Sequence, residues 1–171
     1  VDSRNLSTGI GHLVLDASIM ASQGIDAEVI AETLRKDAAR LEVSFVLDTL
    51  SYMRRGGRCS AVAAIGANFM QLKPCVEVRE GKMGVGKKYR GNLEKVIKQY
   101  VTDRLKDRSD LDKKRIFLTY SEAFPKEILK EVHSLVDQYG EFEEVYETSA
   151  GCTISSHCGP RCFGILFYRK A

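Results

Sequence analysis

The sequence predicts an α/β fold with α+β character, in which about six short strands form a mixed or mainly antiparallel sheet covered by about five helices. Three observations carry that expectation. Apolar residues recur at helical spacing in several long segments, short β-rich runs lie between those segments, and Glu80–Gly81 joins two such runs as a hairpin. The hairpin makes a fully parallel sheet a poor fit. With 171 residues, 44% of them apolar and 29% charged, the chain holds enough material for one core and reads as a single domain over 1–171.

Each element has its own signal. After Gly9, the positions Ile10, Leu13, Val14, Ala17, Met20 and Ala21 form a helical stripe that stops before Gly24. Asp26 is placed to cap a second helix whose inner face is Ile30, Leu34, Ala38 and Leu41. The run 42–47 is β-rich, and Asp48 or Thr49 opens a brief helix that ends at the paired glycines Gly56 and Gly57. Small residues over 60–70 read as a further helix, and 72–91 as the hairpin. Leu93, Val96, Ile97, Tyr100 and Val101 mark a helix over 93–108, and 115–120 a strand. Pro125 starts a helix carrying Ile128, Leu129, Val132, Leu135, Val136 and Tyr139, stopped at Gly140; strands follow at 141–148 and 162–168. Val1 reads as the end of a strand, so the chain is expected to be a piece of a longer protein.

Composition narrows the chemistry. A net charge of +3 is too weak to imply nucleic acid, and aromatic residues do not alternate with the basic ones as a single-strand groove requires. Five cysteines, sparse and odd in number, are no secreted disulfide framework and point to a reducing, cytoplasmic setting. No apolar run approaches the ~18–20 residues of a membrane span. The stretch from Gly81 to Lys88 nearly matches a phosphate loop, but Lys88 stands where a magnesium-binding hydroxyl belongs, so the hairpin reading is preferred.

Cys152, His157, Cys158 and Cys162 invite a zinc or thiol reading. Their spacing lacks paired knuckles, and adjacent His157 and Cys158 seldom aim at each other, so no metal and no catalytic residue is assigned. Cys59 and Cys75 read as buried small hydrophobes. Arg54, Arg55 and Arg58, with Lys82, Lys87, Lys88 and Arg90, form basic clusters that are either solvated surface or a face for an acidic partner, an anionic membrane surface or a phosphate. Ser7 and Thr8 precede a helix and read either as a plain N-cap or as an anion site. Ser155, Ser156 and His157 offer a second donor-rich turn. Two such turns without a base–nucleophile pair suggest carboxylate binding.

Five stretches in one order then carry a likeness: VDSRNLSTGIGHLVLDA at 1–17, FVLDTLSYMRRGGRCS at 45–60, LKPCVEV at 72–78, GKKYRGNLEKV at 86–96 and SSHCGPRCFGILF at 155–167. The chain resembles the C-terminal portion of the DegV family of bacterial fatty-acid-binding proteins. The resemblance implies a two-lobed fold with a long acyl chain buried between lobes, the N-terminal lobe being absent from this chain. It implies that Ser7 is the carboxylate-binding serine and that His157 is the histidine of a His-Thr-Gly-Pro-Gly turn, with Thr8 and Ser156 beside them. It also implies a long-chain fatty acid as ligand with no cofactor, a separate fatty acid kinase subunit as partner, and a carrier instead of a catalyst. Arg58, Lys88 and Arg90, with Arg54 and Arg55, would face that kinase or make transient membrane-surface contact.

Two departures stand out. Cys158 replaces the family threonine, which removes a hydroxyl, and Arg161 replaces the last glycine, where it would bind the carboxylate, plug the site or point outward. With half the tunnel wall missing, the isolated piece is expected to expose an apolar face and dimerise. Two other classes are kept: a thiol- or zinc-dependent enzyme at Cys158 and His157, and a regulatory interaction domain using the Arg54–Arg58 surface.

Overall fold

The structure, a computed structural model, describes residues 1–58, 72–121 and 124–171. Helices α1 (Thr8–Ser22) and α2 (Ala27–Arg40) lead into strand β1 (Leu41–Val46) and a short helix α3 (Ser51–Arg55). The hairpin β2 (Leu72–Arg79) and β3 (Lys82–Arg90) follows, then α4 (Leu93–Leu105), β4 (Leu111–Tyr120), α5 (Lys126–Tyr139), β5 (Glu144–Ser149), α6 (Cys152–Cys158) and β6 (Phe163–Arg169). The six strands form one sheet in the order β3-β2-β1-β6-β4-β5. All neighbours are antiparallel except β4 and β5, for which α5 supplies the crossover a parallel pair needs. The expected α/β class, mixed sheet and helical cover are what the structure has.

Local chemistry explains most boundaries. Asp26 Oδ1 accepts from the Glu28 N–H at 2.8 Å and Asn92 Oδ1 from the Lys95 N–H at 3.0 Å, so α2 and α4 start at capped residues. Glu80 and Gly81, with φ of 51° and 78°, are both left-handed, as a two-residue hairpin turn demands. The whole of 82–90 is strand, so the glycine–lysine stretch is hairpin and not a phosphate loop.

The sheet is covered on both faces. On one, Val96, Ile97, Tyr100 and Val101 of α4, with Val132 and Val136 of α5, pack on Ile116, Leu118, Phe163, Ile165 and Phe167. The Tyr100 hydroxyl is buried in this layer, donates to the Ser44 carbonyl at 2.7 Å and accepts the Ile165 N–H at 3.1 Å. On the other, Leu13, Leu34 and Ala38 pack on Val43, Val78, Phe117, Leu166 and Tyr168. A third cluster, Phe45, Leu47, Leu50, Met53, Val76, Cys158 and Cys162, closes the end of the sheet where β1 finishes.

Several expectations are corrected. The expected inner stripe of α1 holds at Leu13, Ala17 and Met20, which pack on the core, but its edge is turned: Ile10, Val14 and Ala21 are exposed, while Gly9 and His12 are buried. The reason is a polar anchor that apolar periodicity does not see. Asp16 accepts from Arg115 Nη1 at 2.7 Å and from the Tyr168 hydroxyl at 3.0 Å, which turns the His12–Asp16 side of the helix inward. His12 is fully buried between the rings of Phe117 and Tyr168, at 4.8 and 4.2 Å, and burial pushes its imidazole down to about 4. Val1 belongs to no strand. The brief third helix starts at Ser51, α4 stops at Leu105 ahead of left-handed Asp107, β4 begins at Leu111, and β5 spans Glu144–Ser149. The expected helix over 60–70 and the reading of Cys59 lie outside the described residues.

Candidate functional site

The expected donor-rich turn at 155–158 is a helix. Gly151 begins α6, and within it the Ser155 hydroxyl donates to the Ala150 carbonyl at 3.2 Å and the Ser156 hydroxyl to the Cys152 carbonyl at 2.8 Å. Both hydroxyls serve their own backbone, a habit of serine that also explains why propensity did not reveal the helix. Ser156 is exposed. It is therefore not brought to a shared site with Ser7.

His157 is held differently. Its ring lies against the backbone of α3's last turn, where a Cβ on Gly56 would stand 2.1 Å from Nδ1. Two residues on, left-handed Gly159 (φ 79°) faces the Tyr52 ring, and a Cβ there would stand 2.4 Å from Cδ2. The glycines of two distant sequence stretches thus let α3 and α6 pack backbone to ring. His157 Nδ1 is buried with no hydrogen-bond partner among the described residues.

At the start of α1, Ser7 occupies the cap position with φ 50°, and its side chain makes no capping hydrogen bond. A serine in this left-handed region is strained. Thr8, expected just before the helix, is instead its first residue. Its Oγ1 meets two threonines that sequence reasoning missed: Thr119 Oγ1 at 3.0 Å and Thr148 Oγ1 at 3.2 Å, themselves 2.8 Å apart. They come from the ends of β4 and β5, paired in register, which only the parallel pairing of those strands could reveal.

Between these parts lies a narrow apolar cleft of about 30 Å³, lined by Leu6, Ser7, Phe45, Ser121, Ile154, Cys158, Cys162 and Leu166 among others. Ser7 also borders a second, open hollow of about 530 Å³, lined by Thr8, Gly11, Leu15, Phe117 and Thr148. Exposed Ile10 and Val14 stand on the same helix. Ser7, Thr8 and Cys158 are thus brought to one region. Arg161 is not: its guanidinium lies 3.9 Å from Asp48 Oδ2 and the side chain is half exposed, the outward of its three expected placements.

The thiols behave as buried groups. Cys75 is buried as expected, and burial pushes its thiol up to about 12. A hydrogen bond between Cys158 and Cys162 holds the Cys158 thiol below its usual range and raises that of Cys162. Among the described residues, no three His, Cys, Asp or Glu side chains are grouped to hold a metal ion. Arg54, Arg55 and Arg58 are exposed on and just after α3, and Lys88 and Arg90 are exposed on the edge strand β3. No helix among the described residues is long and apolar enough to cross a membrane.

Comparison with known proteins gives consistent results. The model of a family of uncharacterised proteins, DegV, matches residues 1–170. A DegV domain-containing protein of Caldanaerobacter subterraneus subsp. tengcongensis is 30% identical over 171 residues, covering 99% of this chain and 60% of that protein. A DegV family protein from Thermus thermophilus, described by its fatty acid binding, superposes with a TM-score of 0.83 at 25% identity, over 99% of this chain and 60% of the other. A DegV lipid binding protein from Thermotoga maritima has the same fold, with a TM-score of 0.82 at 19% identity over 99% and 58%. This chain spans about three fifths of the length of each.

Proposed function

Because the chain belongs to the DegV family, we propose that it forms one wall and the head-group end of a fatty-acid-binding protein, taking a long acyl chain and no cofactor. The observation that carries this is the apolar cleft bordered by the Ser7 hydroxyl at the first turn of α1. The positive end of a 15-residue helix favours a carboxylate there. Leu6, Phe45, Ile154 and Leu166 offer the hydrocarbon surface.

Acyl length would supply most of the affinity, about 0.8 kcal/mol for each methylene removed from water, while the polar end fixes direction. A ligand site for a molecule of that size has on the order of 300–1,000 Å³, far more than the 30 Å³ of this cleft. The remaining wall is assigned to an N-terminal lobe outside this chain, which would also cover exposed Ile10 and Val14; alone, the piece would dimerise through them. His157 is assigned to the carboxylate end through its ring, held by Gly56. We further assign the exposed arginines of 54–58 with Lys88 and Arg90 to contact with a fatty acid kinase.

Native mass spectrometry of the full-length protein from bacterial cells tests the ligand. Retained fatty acid, or saturable binding of added oleate, is expected; a protein that does neither rules the reading out. For the partner, Arg54, Arg55 and Arg58 changed together to Glu should abolish kinase capture in a pull-down, and undiminished capture would remove that assignment.

A further inference from the structure

Cys158 and Cys162 stand at the two ends of the loop 159–161, both buried and both lining the apolar cleft. The loop is clamped from below by Ser121. Its hydroxyl donates to the Gly159 carbonyl at 2.5 Å and accepts the Cys162 N–H at 3.1 Å, and its own N–H donates to the Cys162 carbonyl at 3.0 Å. Left-handed Gly159 and Arg161 fold the chain back between the two cysteines, which pack in one cluster and line the same narrow cleft.

We propose that Cys158 and Cys162 form a reversible disulfide in the wall of the cleft, and that closing it weakens fatty acid binding; the second part rests on the fatty-acid reading given above. The oxidant class is a peroxide, small enough for a cleft with about 30 Å³ of space, roughly that of two water-sized molecules. The Cys158 sulfur, as thiolate, attacks one peroxide oxygen; the S–O bond forms as the O–O bond breaks, giving a sulfenic acid and one water. The Cys162 sulfur then attacks the sulfenic sulfur; the S–S bond forms, the S–O bond breaks, and the hydroxide leaves with the thiol proton as a second water. Two thiols are oxidised by two electrons and one peroxide is reduced to two waters. Cys158 is the better attacking thiol, because the hydrogen bond from Cys162 favours its ionised form.

A bond of about 2.05 Å between the sulfurs pulls the end of α6 toward the start of β6. His157, next to Cys158 and seated on Gly56, is carried with it, so the carboxylate end changes while the apolar walls remain. Peroxide treatment of the purified full-length protein, followed by alkylation and peptide mapping, tests the first part. A cross-linked peptide joining Cys158 to Cys162, lighter by two hydrogens and restored by dithiothreitol, is expected; Cys152, exposed on α6, should be alkylated or oxidised independently. Absence of that peptide, or its replacement by a sulfinic acid at Cys158, overturns the proposal. Oleate affinity is then compared before and after oxidation. The expected loss is at least about tenfold, the value of one charge-assisted hydrogen bond, and it should vanish in Cys162→Ser. A cross-linked protein with unchanged affinity overturns the coupling. A reduced protein that binds no oleate overturns both the coupling and the fatty-acid reading, and is told apart by failing before any oxidant is added.

Discussion

The α4–α5 face of the sheet and its α3–α6 end are built on opposite plans. The first is sealed by large apolar side chains: Val96, Ile97, Tyr100, Val101, Val132 and Val136 are all fully buried. The second keeps a smaller apolar cluster, but its two helices meet through glycines, with Gly56 and Gly159 pressed on imidazole and aromatic rings. Close packing of the first kind gives stability and one arrangement. The second trades volume for backbone proximity, and it is where orphaned His157 Nδ1 and the paired thiols occur. The bulk of the apolar core and the closest backbone-to-ring contacts are thus kept in different parts of the same sheet.

The largest effect is expected on the sealed side. Leu118→Ala removes a fully buried side chain and should cost about 2–5 kcal/mol of unfolding free energy. A urea midpoint unchanged from the parent would show that the α4–α5 face is not the main core. Next comes acid. His12 is neutral in both folded and unfolded chains above pH 6.5; below it the unfolded imidazole takes a proton first, because the folded one is held down to about 4. Stability therefore falls as pH drops from 6.5 to 4, by about 3 kcal/mol from this group at 1.36 kcal/mol per pH unit. His12→Phe should flatten that part of the profile, and identical slopes in the two proteins would refute the assignment.

A smaller effect is expected at the polar insertion in the sealed layer. Tyr100→Phe leaves the buried Ile165 N–H without its acceptor, a loss of about 1–3 kcal/mol by denaturant titration; a neutral result would mean the network has another partner. Smallest of all is Ser156→Ala. Its hydroxyl bonds its own helix and faces solvent, so oleate affinity should be unchanged, and a clear loss would restore this serine to the carboxylate site.

The same contrast explains what the sequence made legible. Helices α4 and α5 bury an apolar face of regular spacing, so Leu93 through Val101 and Ile128 through Val136 could be read directly. The hairpin turn was equally plain, since Glu80–Gly81 needs two left-handed residues. Helix α1 was found with Leu13, Ala17 and Met20 inward as read, but its buried His12 was not, because the Asp16–Arg115 pair beside it spans 99 positions. Helix α6 was missed because Cys, Thr, Ser and Ser carry weak helical preference and their hydroxyls compete for the backbone. At the candidate site, Ser7 was visible by resemblance to a family. Thr119, Thr148 and Ser121 were not, for each is defined by strand register and by contacts far apart in the chain.

The threonine triangle at the head of α1 has a consequence for any anion arriving there. Three hydroxyls own three protons, and the three close oxygen pairs of Thr8, Thr119 and Thr148 engage all of them when the bonds run round in one sense. What the triangle shows to its surroundings is then lone pairs alone, which repel a carboxylate. An incoming anion can be met by Thr8 only after one edge of the triangle opens and its proton swings outward, a toll of about 0.5–1.5 kcal/mol. The triangle thus sets a threshold for hydrogen bonding: its hydroxyls turn outward only for an acceptor stronger than a neighbouring hydroxyl.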